Sequence, residues 1–466
     1  AIGSPLTDFV PKFDISGLGL GYNKPPLEIE GALLKLPDQD LSPDTAFQFD
    51  GLATVKAESF SLSAIGSYAQ SKAGDPSLFV FAQLEAPLGD PTGTGALFVT
   101  GLMGGFGFNR NLKIPEQDQV QGFPLLLLAQ PPTPGQKAAA QDPMFVLDVL
   151  EGRKPAKPGG ASDKWIEPSP GDYWLGVGLE FTSWELVQTK ALLIVEFGTD
   201  LTFALLGLST MQLPQPGESS ETYAFVQLQL RAVFKPQDGV FALSAVLSDT
   251  SYVLTPDCHL TGGFAFNLWF EPSDNSGQFV ITLGGYHPAF KPPKYFPAEP
   301  RLGFNWAVSS TVSVKGGAYF ALTPSCIMAG GSLEILFHDG DLRAWFTAHA
   351  DLLVSWRPFF FIAEISIDIG VSYRLNLLFC HKTISVSLGA DLKLWGPPTG
   401  GAVKIHVVVV SFTVHFGSDG AAANYEPLGW TAFSEMLPHP DHVCRITVQS
   451  GLHASPPNQG PSGKLW

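Results

Sequence analysis

The chain has 466 residues, of which 45% are apolar and only 15% are charged, and its formal net charge is −16 at pH 7. So acidic a chain lacks the basic stripes that bind nucleic acid, and it lacks a polybasic anchor for anionic lipid. It is rich in Phe (35), Gly (49) and Pro (39), which favours β-strands and turns over helices. The composition therefore predicts a large β-rich core, and it argues against nucleic-acid and membrane partners.

Residues 1–129 contain three segments in which apolar and polar side chains alternate, as in a β-strand. These segments are FQFDGLATVKAESFSLSAIGSYA, SLFVFAQLEA and GALFVTGLMGGFGFN. We interpret this part as an N-terminal β region. Residues 130–172 are rich in Pro, Gly and Lys, which predicts an insertion or linker, with MFVLDVLEG as its short helix.

Residues 173–445 predict the main antiparallel β domain. Alternation is clearest in LRAWFTAHADLLVSW, EISIDIGVSYRLNL and TISVSLGADLKLW, which predict strands far longer than the usual length of about 5–6 residues. Asp339-Gly340 is a typical hairpin turn. The alternation slips by one residue near Val408, which predicts a bulge or a stretch buried on both faces. Residues 446–466 predict a disordered tail.

The stretch LGGYHPAFKPPKYFPAEPRLGFNW, residues 283–306, joins two of these predicted strands and contains five prolines between Pro288 and Pro300. Proline has no backbone N–H, so the stretch cannot join a β-ladder. We expect a rigid crossover between strands whose aromatic side chains cover one open end of the sheet. Its candidate ligand-binding residues are Tyr286, His287, Tyr295 and Arg301. His287 is also a candidate acid or base, because the pKa of an imidazole lies near neutrality.

Carboxylates on the polar side of the long strands are the candidate catalytic residues: Asp351, Glu364, Asp368 and Asp391. Glu364 and Asp368 stand four residues apart on one strand, about 13 Å. That exceeds the separation of roughly 5–9.5 Å between the two carboxyl groups of a glycosidase. The cross-strand pairs Asp351 with Glu364, and Asp368 with Asp391, would be closer in a suitable register. The alternative is an ordinary solvated sheet face.

Other motifs for chemistry are absent from the sequence or incomplete. The chain has no nucleophile elbow, zinc-protease helix motif or phosphate-binding loop, and no cofactor is predicted. In HPDHVC, His439, Asp441, His442 and Cys444 are of the right types to bind a metal, with His439 and His442 as the candidate ligands, but a His-x-x-His pair in a Pro-containing loop needs a third ligand from elsewhere in the chain.

Cysteine usage and the chain ends bear on the compartment. The four cysteines (Cys258, Cys326, Cys380 and Cys444) form no CxxC motif, which predicts reduced thiols and weakly favours an intracellular protein, with long-range disulfides left open. No signal peptide or transmembrane helix is visible in the sequence, and the earlier removal of a signal peptide is left open as an alternative. The missing initial Met and the abrupt tail predict a piece of a longer polypeptide.

Several long segments between residues 97 and 445 resemble a large domain of unknown function (the family 6603 type) found in long bacterial and fungal proteins. The segments are LFVTGLMGGFGFNRNLKIP, LEFTSWELVQTKALLIVEFGTDLTFALLG, CHLTGGFAFNLWF, LGGYHPAF, YFALTPSCIMAGG and GADLKLWGPPTGG. The resemblance implies no activity, cofactor or catalytic residue.

The sequence thus predicts an all-β protein, a long-stranded antiparallel meander that forms a large barrel or a curved, tube-like sheet, with a few short helices in insertions. The leading function is a non-catalytic binding or scaffold module. It would hold a lipid or another apolar or amphipathic molecule in a barrel or groove, or it would pack against further domains of a larger polypeptide. The alternatives are a glycan-active hydrolase or lyase and a membrane β-barrel or pore.

Overall fold

The computed structural model describes residues 16–128, 143–155, 162–215, 221–377, 380–408, 410–418 and 429–438. In this part of the chain, 23 strands form one antiparallel sheet, accompanied by three short α-helices. The predicted all-β fold with long antiparallel strands is therefore confirmed.

The N-terminal half of the sheet consists of β1 (Gly17–Lys24), β2 (Leu27–Lys35), β3 (Thr45–Lys56), β4 (Ser61–Ser71), β5 (Pro76–Gly89), β6 (Leu97–Leu112), β7 (Ile166–Ser183), β8 (Val187–Phe197), β9 (Thr202–Leu213) and β10 (Ala224–Lys235). Helices α1 (Pro124–Leu127) and α2 (Pro143–Leu150) come between β6 and β7 in the chain. The helix α2 is the short helix that the sequence predicts. Because β6 pairs directly with β7, the sheet continues across the segment between them.

The C-terminal half consists of β11 (Val240–Leu247), β12 (Tyr252–Val253), β13 (Cys258–Thr261), β14 (Gly263–Trp269), β15 (Phe279–Leu283), β16 (Leu302–Ala307), β17 (Val312–Leu322), β18 (Cys326–Asp339), β19 (Leu342–Trp356), β20 (Phe359–Leu377), β21 (Cys380–Gly396), β22 (Gly400–Val407) and β23 (Val410–Gly417), followed by α3 (Trp430–Ser434). β20 alone has 19 residues, which confirms the predicted long strands. The predicted hairpin turn at Asp339-Gly340 joins β18 to β19, and Gly340 adopts a positive φ of 55° there.

Between β10 and β17, short strands pair with different parts of the same longer strand. β11 and β12 both pair with β10, and β15 and β16 both pair with β17. These pairings, with β13 and β14 between them, form a partial ring of eight strands from β10 to β17. The interruption between β15 and β16 is where the proline-rich segment leaves the sheet.

The slip in alternation near Val408 is a hairpin, so the predicted bulge or doubly buried stretch is wrong. Val407 pairs directly with Val410, and β22 and β23 run antiparallel from that pair. Val408 has a φ of 57°, a left-handed conformation that β-branched residues rarely adopt. No Gly, Asn or Asp stands here to mark a turn, which is why the apolar sequence hid it.

The antiparallel register gives the sheet two continuous faces, because successive side chains of a strand point to opposite sides. The first, here named the covered face, carries Phe79, Trp174, Leu206, Ala265, Ala321 and Met328. The second, here named the open face, carries Phe106, Leu175, Leu205, Phe320, Ile369 and Leu388. The first set is buried, and the members of the second are 37% to 56% exposed.

The main core lies on the covered face of the N-terminal half, beneath α1 and α2. Leu126 of α1 and Leu147 and Leu150 of α2 are fully buried in one cluster with Phe81 and Trp174 of the sheet. Burial of side chains of this size contributes roughly 1.5–3 kcal/mol each to folding. The described part of the segment between β6 and β7 therefore forms a lid over the covered face of the N-terminal half.

A buried ion-pair network fastens this lid to the strands. The Arg110 guanidinium of β6 lies 4.0 Å from the Glu151 carboxylate and donates a hydrogen bond of 2.8 Å to Ser67 Oγ. Arg153 pairs with Glu151 and reaches Asp50 of β3 at 2.7 Å. Burial raises the pKa of Glu151 and lowers that of Arg110, and the charges of the two groups on each other oppose both shifts.

We expect Arg110→Met to lower the free energy of unfolding by about 3–5 kcal/mol, because it leaves the buried Glu151 carboxylate with one positive partner fewer. Lys315→Met is the matched control, since its ammonium lies 3.7 Å from Glu334 and both side chains are exposed. Such a surface pair contributes about 0–1 kcal/mol. Urea unfolding of both variants measures the difference, and equal losses would contradict a stabilising role of the buried network.

Candidate functional site

The proline-rich segment, residues 284–301, leaves the sheet and returns to the same strand line; we name it the proline cover. Leu283 pairs with Phe320 of β17, and Leu302 pairs with Ala318, so only Tyr319 lies between the two ends. The segment joins two strands, β15 and β16, as predicted, but both lie on one line beside β17, so it is an excursion from the sheet and the predicted crossover is wrong. Gly284 starts the excursion with a φ of 76°, a conformation that glycine tolerates without strain.

The proline cover lies on the covered face of the sheet and not over an open end, which corrects a second expectation. Tyr286 and Phe290 pack against a buried cluster on β17, β18 and β19 that consists of Tyr319, Ala321, Cys326, Met328 and Leu353. Tyr295 and Phe296 contact Trp269 of β14, with ring centroids at 5.0 and 5.8 Å. The aromatic side chains thus hold the cover flat across several strands.

Arg301 ties the two ends of the proline cover together. Its guanidinium donates hydrogen bonds to the carbonyl oxygens of Gly284, at 3.0 Å, and Tyr286, at 2.6 Å. The same guanidinium lies 3.9 Å from the centre of the Tyr319 ring, a cation–π contact. The first turn of the cover, its last residue and the strand beneath it therefore meet at one side chain.

A row of polar side chains extends from this point over strands β17 to β21. The Tyr319 hydroxyl donates a 2.7 Å hydrogen bond to Asp351 Oδ1 on β19, passing over Gly330 of β18. A Cβ at Gly330 would lie 2.4 Å from the Tyr319 ring, so only glycine leaves room for this bond. Asp351 stands opposite Glu364, which forms an ion pair with Lys393 of β21. Burial and Asp351 both raise the pKa of Tyr319.

His287 of the proline cover packs edge-on against Tyr319 of this row and is only 2% exposed. Its Nδ1 accepts a 3.0 Å hydrogen bond from the Ala289 N–H, so Nε2 carries the proton of the neutral ring. Nε2 is buried and has no hydrogen-bond partner among the described residues. Burial lowers the pKa of His287, although Asp351 and Glu364 act in the opposite direction. The imidazole is thus held neutral next to two carboxylates.

The register brings some of the predicted site residues together and separates others. His287, Arg301, Asp351 and Glu364 meet at the proline cover, and Tyr286 packs there with its hydroxyl donating to the Pro297 carbonyl at 2.8 Å. Tyr295 lies apart, on Trp269. Tyr319 and Gly330 were not predicted as site residues. An aromatic residue and a glycine are both common in alternating strands, so neither stands out in the sequence. Only the register shows that the two residues lie side by side.

The remaining carboxylates lie farther along the same face. Asp368 stands opposite Gly389 and accepts a hydrogen bond from the Trp345 indole. Asp391 stands opposite Ser366 and accepts a hydrogen bond from the Ser366 hydroxyl. Of the predicted cross-strand pairs, only Asp351 and Glu364 face each other directly. The hypothesis of a glycan hydrolase stays a prediction.

The open face of the same strands is apolar, and its side chains are about half exposed among the described residues. On β20, Ile365, Ile367 and Ile369 are 49%, 48% and 51% exposed, and Leu388 on β21 is 56% exposed. A cavity of about 690 Å³ opens here, lined by Ile335, Phe346, Ile369, Val371, Val386 and Leu388 among others. One sheet therefore carries a polar row on one side and an aliphatic surface on the other.

The comparison with known families adds a family assignment. The model of a family of unknown function, DUF6603, matches residues 1–462. The chain belongs to the DUF6603 family. This confirms the resemblance seen in the sequence, and it carries no assigned activity. No curated protein matches the chain.

No described helix is long and apolar enough to cross a membrane. No group of three or more His, Cys, Asp or Glu side chains in the described ranges is arranged to hold a metal ion. His439 and His442 lie outside the described residues. The thiols of Cys258 and Cys326 are free and buried.

We expect Gly330→Ala to lower the free energy of unfolding by about 1–3 kcal/mol, because the new methyl group displaces the Tyr319 ring and breaks its bond to Asp351. Gly104→Ala is the control: it is also a strand glycine, but its Cβ meets only the Gly176 carbonyl at 3.8 Å. The control should change stability by less than about 0.5 kcal/mol. Urea unfolding distinguishes the two, and a Gly330→Ala protein as stable as wild type would rule out the crowding.

Protonation of His287 should destabilise the fold, because its pKa is lower in the folded chain than in the unfolded chain. Stability from this group is complete above the unfolded pKa of about 6.5 and is lost as the pH falls through the folded value. We expect the free energy of unfolding to fall less steeply below about pH 6.5 in His287→Gln than in wild type. A wild-type His287 ring that titrates at or above that pH in NMR spectra would contradict this.

Proposed function

We propose that this DUF6603 protein is a binding module that holds an apolar or amphipathic ligand of the lipid class along the open face of its sheet. The observation that supports it is the continuous row of aliphatic side chains on β18 to β22, half exposed to solvent. Exposed contiguous apolar patches of more than a few hundred Å² are typical of interaction sites.

The shape of this surface suits an acyl chain better than a compact polar ligand. The cavity of about 690 Å³ falls within the usual range of ligand pockets, about 300–1,000 Å³, and Ile, Val, Leu and Phe side chains supply most of its wall. A long hydrocarbon chain lying across the strands would bury these side chains at roughly 25 cal/mol per Å² of apolar surface. A polar headgroup would stay in water at the open side.

The second half of the support is the exposure of this face on β18 to β22. The described helix α3 contacts the open face elsewhere, at Phe279 of β15. The helices α1 and α2 and the proline cover all pack on the covered face. The open face therefore keeps the aliphatic surface that a folded protein normally buries. An amphipathic ligand that fills it would stabilise the protein by mass action.

We expect the double variant Ile369→Asp with Leu388→Asp to bind a fluorescent fatty acid at least about ten-fold more weakly than wild type, because two carboxylates would have to be desolvated beneath the chain. Ser385→Asp is the matched control: the residue is exposed on β21 and points to the other face. It should leave the affinity unchanged.

Native mass spectrometry of freshly purified wild-type protein should also show a bound lipid, and the double variant should lack it. Sedimentation of the delipidated protein tests the competing occupant, a second copy of the chain. A stable dimer that binds no fatty acid and dissociates in the double variant would contradict the proposal.

A further inference from the structure

A second cavity lies on the covered face, in the gap between two covers, which are the lid with α1 and α2 and the proline cover. The 3-10 turn Gln117–Gly122, which leads into α1, forms one wall, and residues 297–300 of the proline cover form the other. Strands β10, β11 and β14 form the floor, and the volume is about 590 Å³. We name this space the inter-cover cleft. It is separated by the sheet itself from the aliphatic surface of the open face.

Side chains that both donate and accept hydrogen bonds converge in the inter-cover cleft. Gln117 Nε2 donates to the Gln229 carbonyl at 2.8 Å, and the Gln121 N–H donates to Gln229 Oε1 at 3.0 Å. Ser244 Oγ donates to Gln117 Oε1. These bonds fix the turn against β10 and β11, so the amide groups are held in place before any ligand arrives.

Other polar groups of the cleft have no partner among the described residues. They are the Gln229 side-chain N–H₂, the side-chain amides of Gln121 and Asn267, and the Glu299 carboxyl group. Glu299 sits close over Gly263, where a Cβ would come within 2.1 Å of its Oε2. Burial raises the pKa of Glu299 to about 7, so near neutrality this carboxyl group is partly protonated and able to donate a hydrogen bond.

The charges of the cleft exclude an anionic ligand. Arg231 is already engaged, since it donates to the Pro115 carbonyl at 2.7 Å and lies 3.3 Å from Glu116. The other ionisable lining residues are the acids Asp118, Asp249 and Glu299. A phosphate or carboxylate would therefore meet repulsion, whereas hydroxyl groups match amides and a carboxyl group that can both donate and accept.

We propose that the inter-cover cleft binds an uncharged polyhydroxylated molecule of the size of a monosaccharide or disaccharide. The Gln229 amide is buried and those of Gln121 and Asn267 are partly buried. Hydroxyl groups bonded to them replace the water that such a ligand loses, whereas leaving them unpaired against an apolar ligand would be costly. This site does not depend on lipid binding at the open face, because the two surfaces lie on opposite sides of the sheet.

Saturation-transfer NMR with the full chain tests this site, using glucose, N-acetylglucosamine, maltose and cellobiose as probes and putrescine as a cationic comparison. At least one sugar should bind. Asn267→Leu and Glu299→Leu should each weaken that binding about ten-fold by removing a hydrogen-bonding group. Glu58→Leu, a substitution at an exposed Glu outside the cleft, should leave the affinity unchanged.

Ala242→Phe provides a second test that removes no polar group, since Ala242 lines the floor and a larger side chain fills the space. Circular dichroism and thermal unfolding establish that each variant is folded. The proposal is overturned if no sugar in the set binds wild type, if putrescine alone binds, or if folded Asn267→Leu and Ala242→Phe proteins bind as wild type does.

Discussion

The register of the antiparallel ladder is the constraint on which the rest of the structure depends. Because side chains alternate along each strand, a slip of one residue in any pair would move every apolar side chain beyond it to the other face. The observed register keeps one phase aligned from Phe79 on β5 to Met328 on β18. Both covers, the polar row and the aliphatic surface follow from that alignment.

The two faces of the sheet differ in how far their apolar side chains are buried. On the covered face, apolar side chains are buried by the segment with α1 and α2 and by the proline cover, and polar side chains occupy the gap and the far end. The buried Arg110–Glu151 pair holds one cover, and Arg301 with its carbonyl partners holds the other. On the open face, the aliphatic side chains of β18 to β22 remain in contact with solvent. This asymmetry is the basis of the proposed binding function.

The polar row beneath the proline cover joins most of its ionisable groups to one another. Asp351 accepts from Tyr319, and Glu364 pairs with Lys393, so each carboxylate is already engaged by a neighbouring strand. His287 is neutral and shielded from water. These contacts connect the cover to β19, β20 and β21, and they give a physical reason for the density of polar residues on that side of the long strands.

The sequence by itself determined the strands, their length and the presence of a rigid non-laddering segment. Alternation of apolar and polar residues is a local property, and proline removes a backbone donor wherever it stands. It also marked His287, Arg301, Asp351 and Glu364 as residues of interest. Hydropathy did not reveal the hairpin at Val408, because that turn lies within an apolar run and no Gly, Asn or Asp marks its left-handed conformation.

Only the tertiary structure decided which of these residues meet. The return of the proline cover to its own strand line, the passage of Tyr319 over Gly330 and the cleft between Gln121 and Glu299 all depend on contacts between residues distant in sequence. The alternation of apolar and polar residues shows which face of the sheet a side chain occupies, but it does not show which residue of the next strand lies beside it. That neighbour is determined by the cross-strand register, which is set by the packing of the whole sheet.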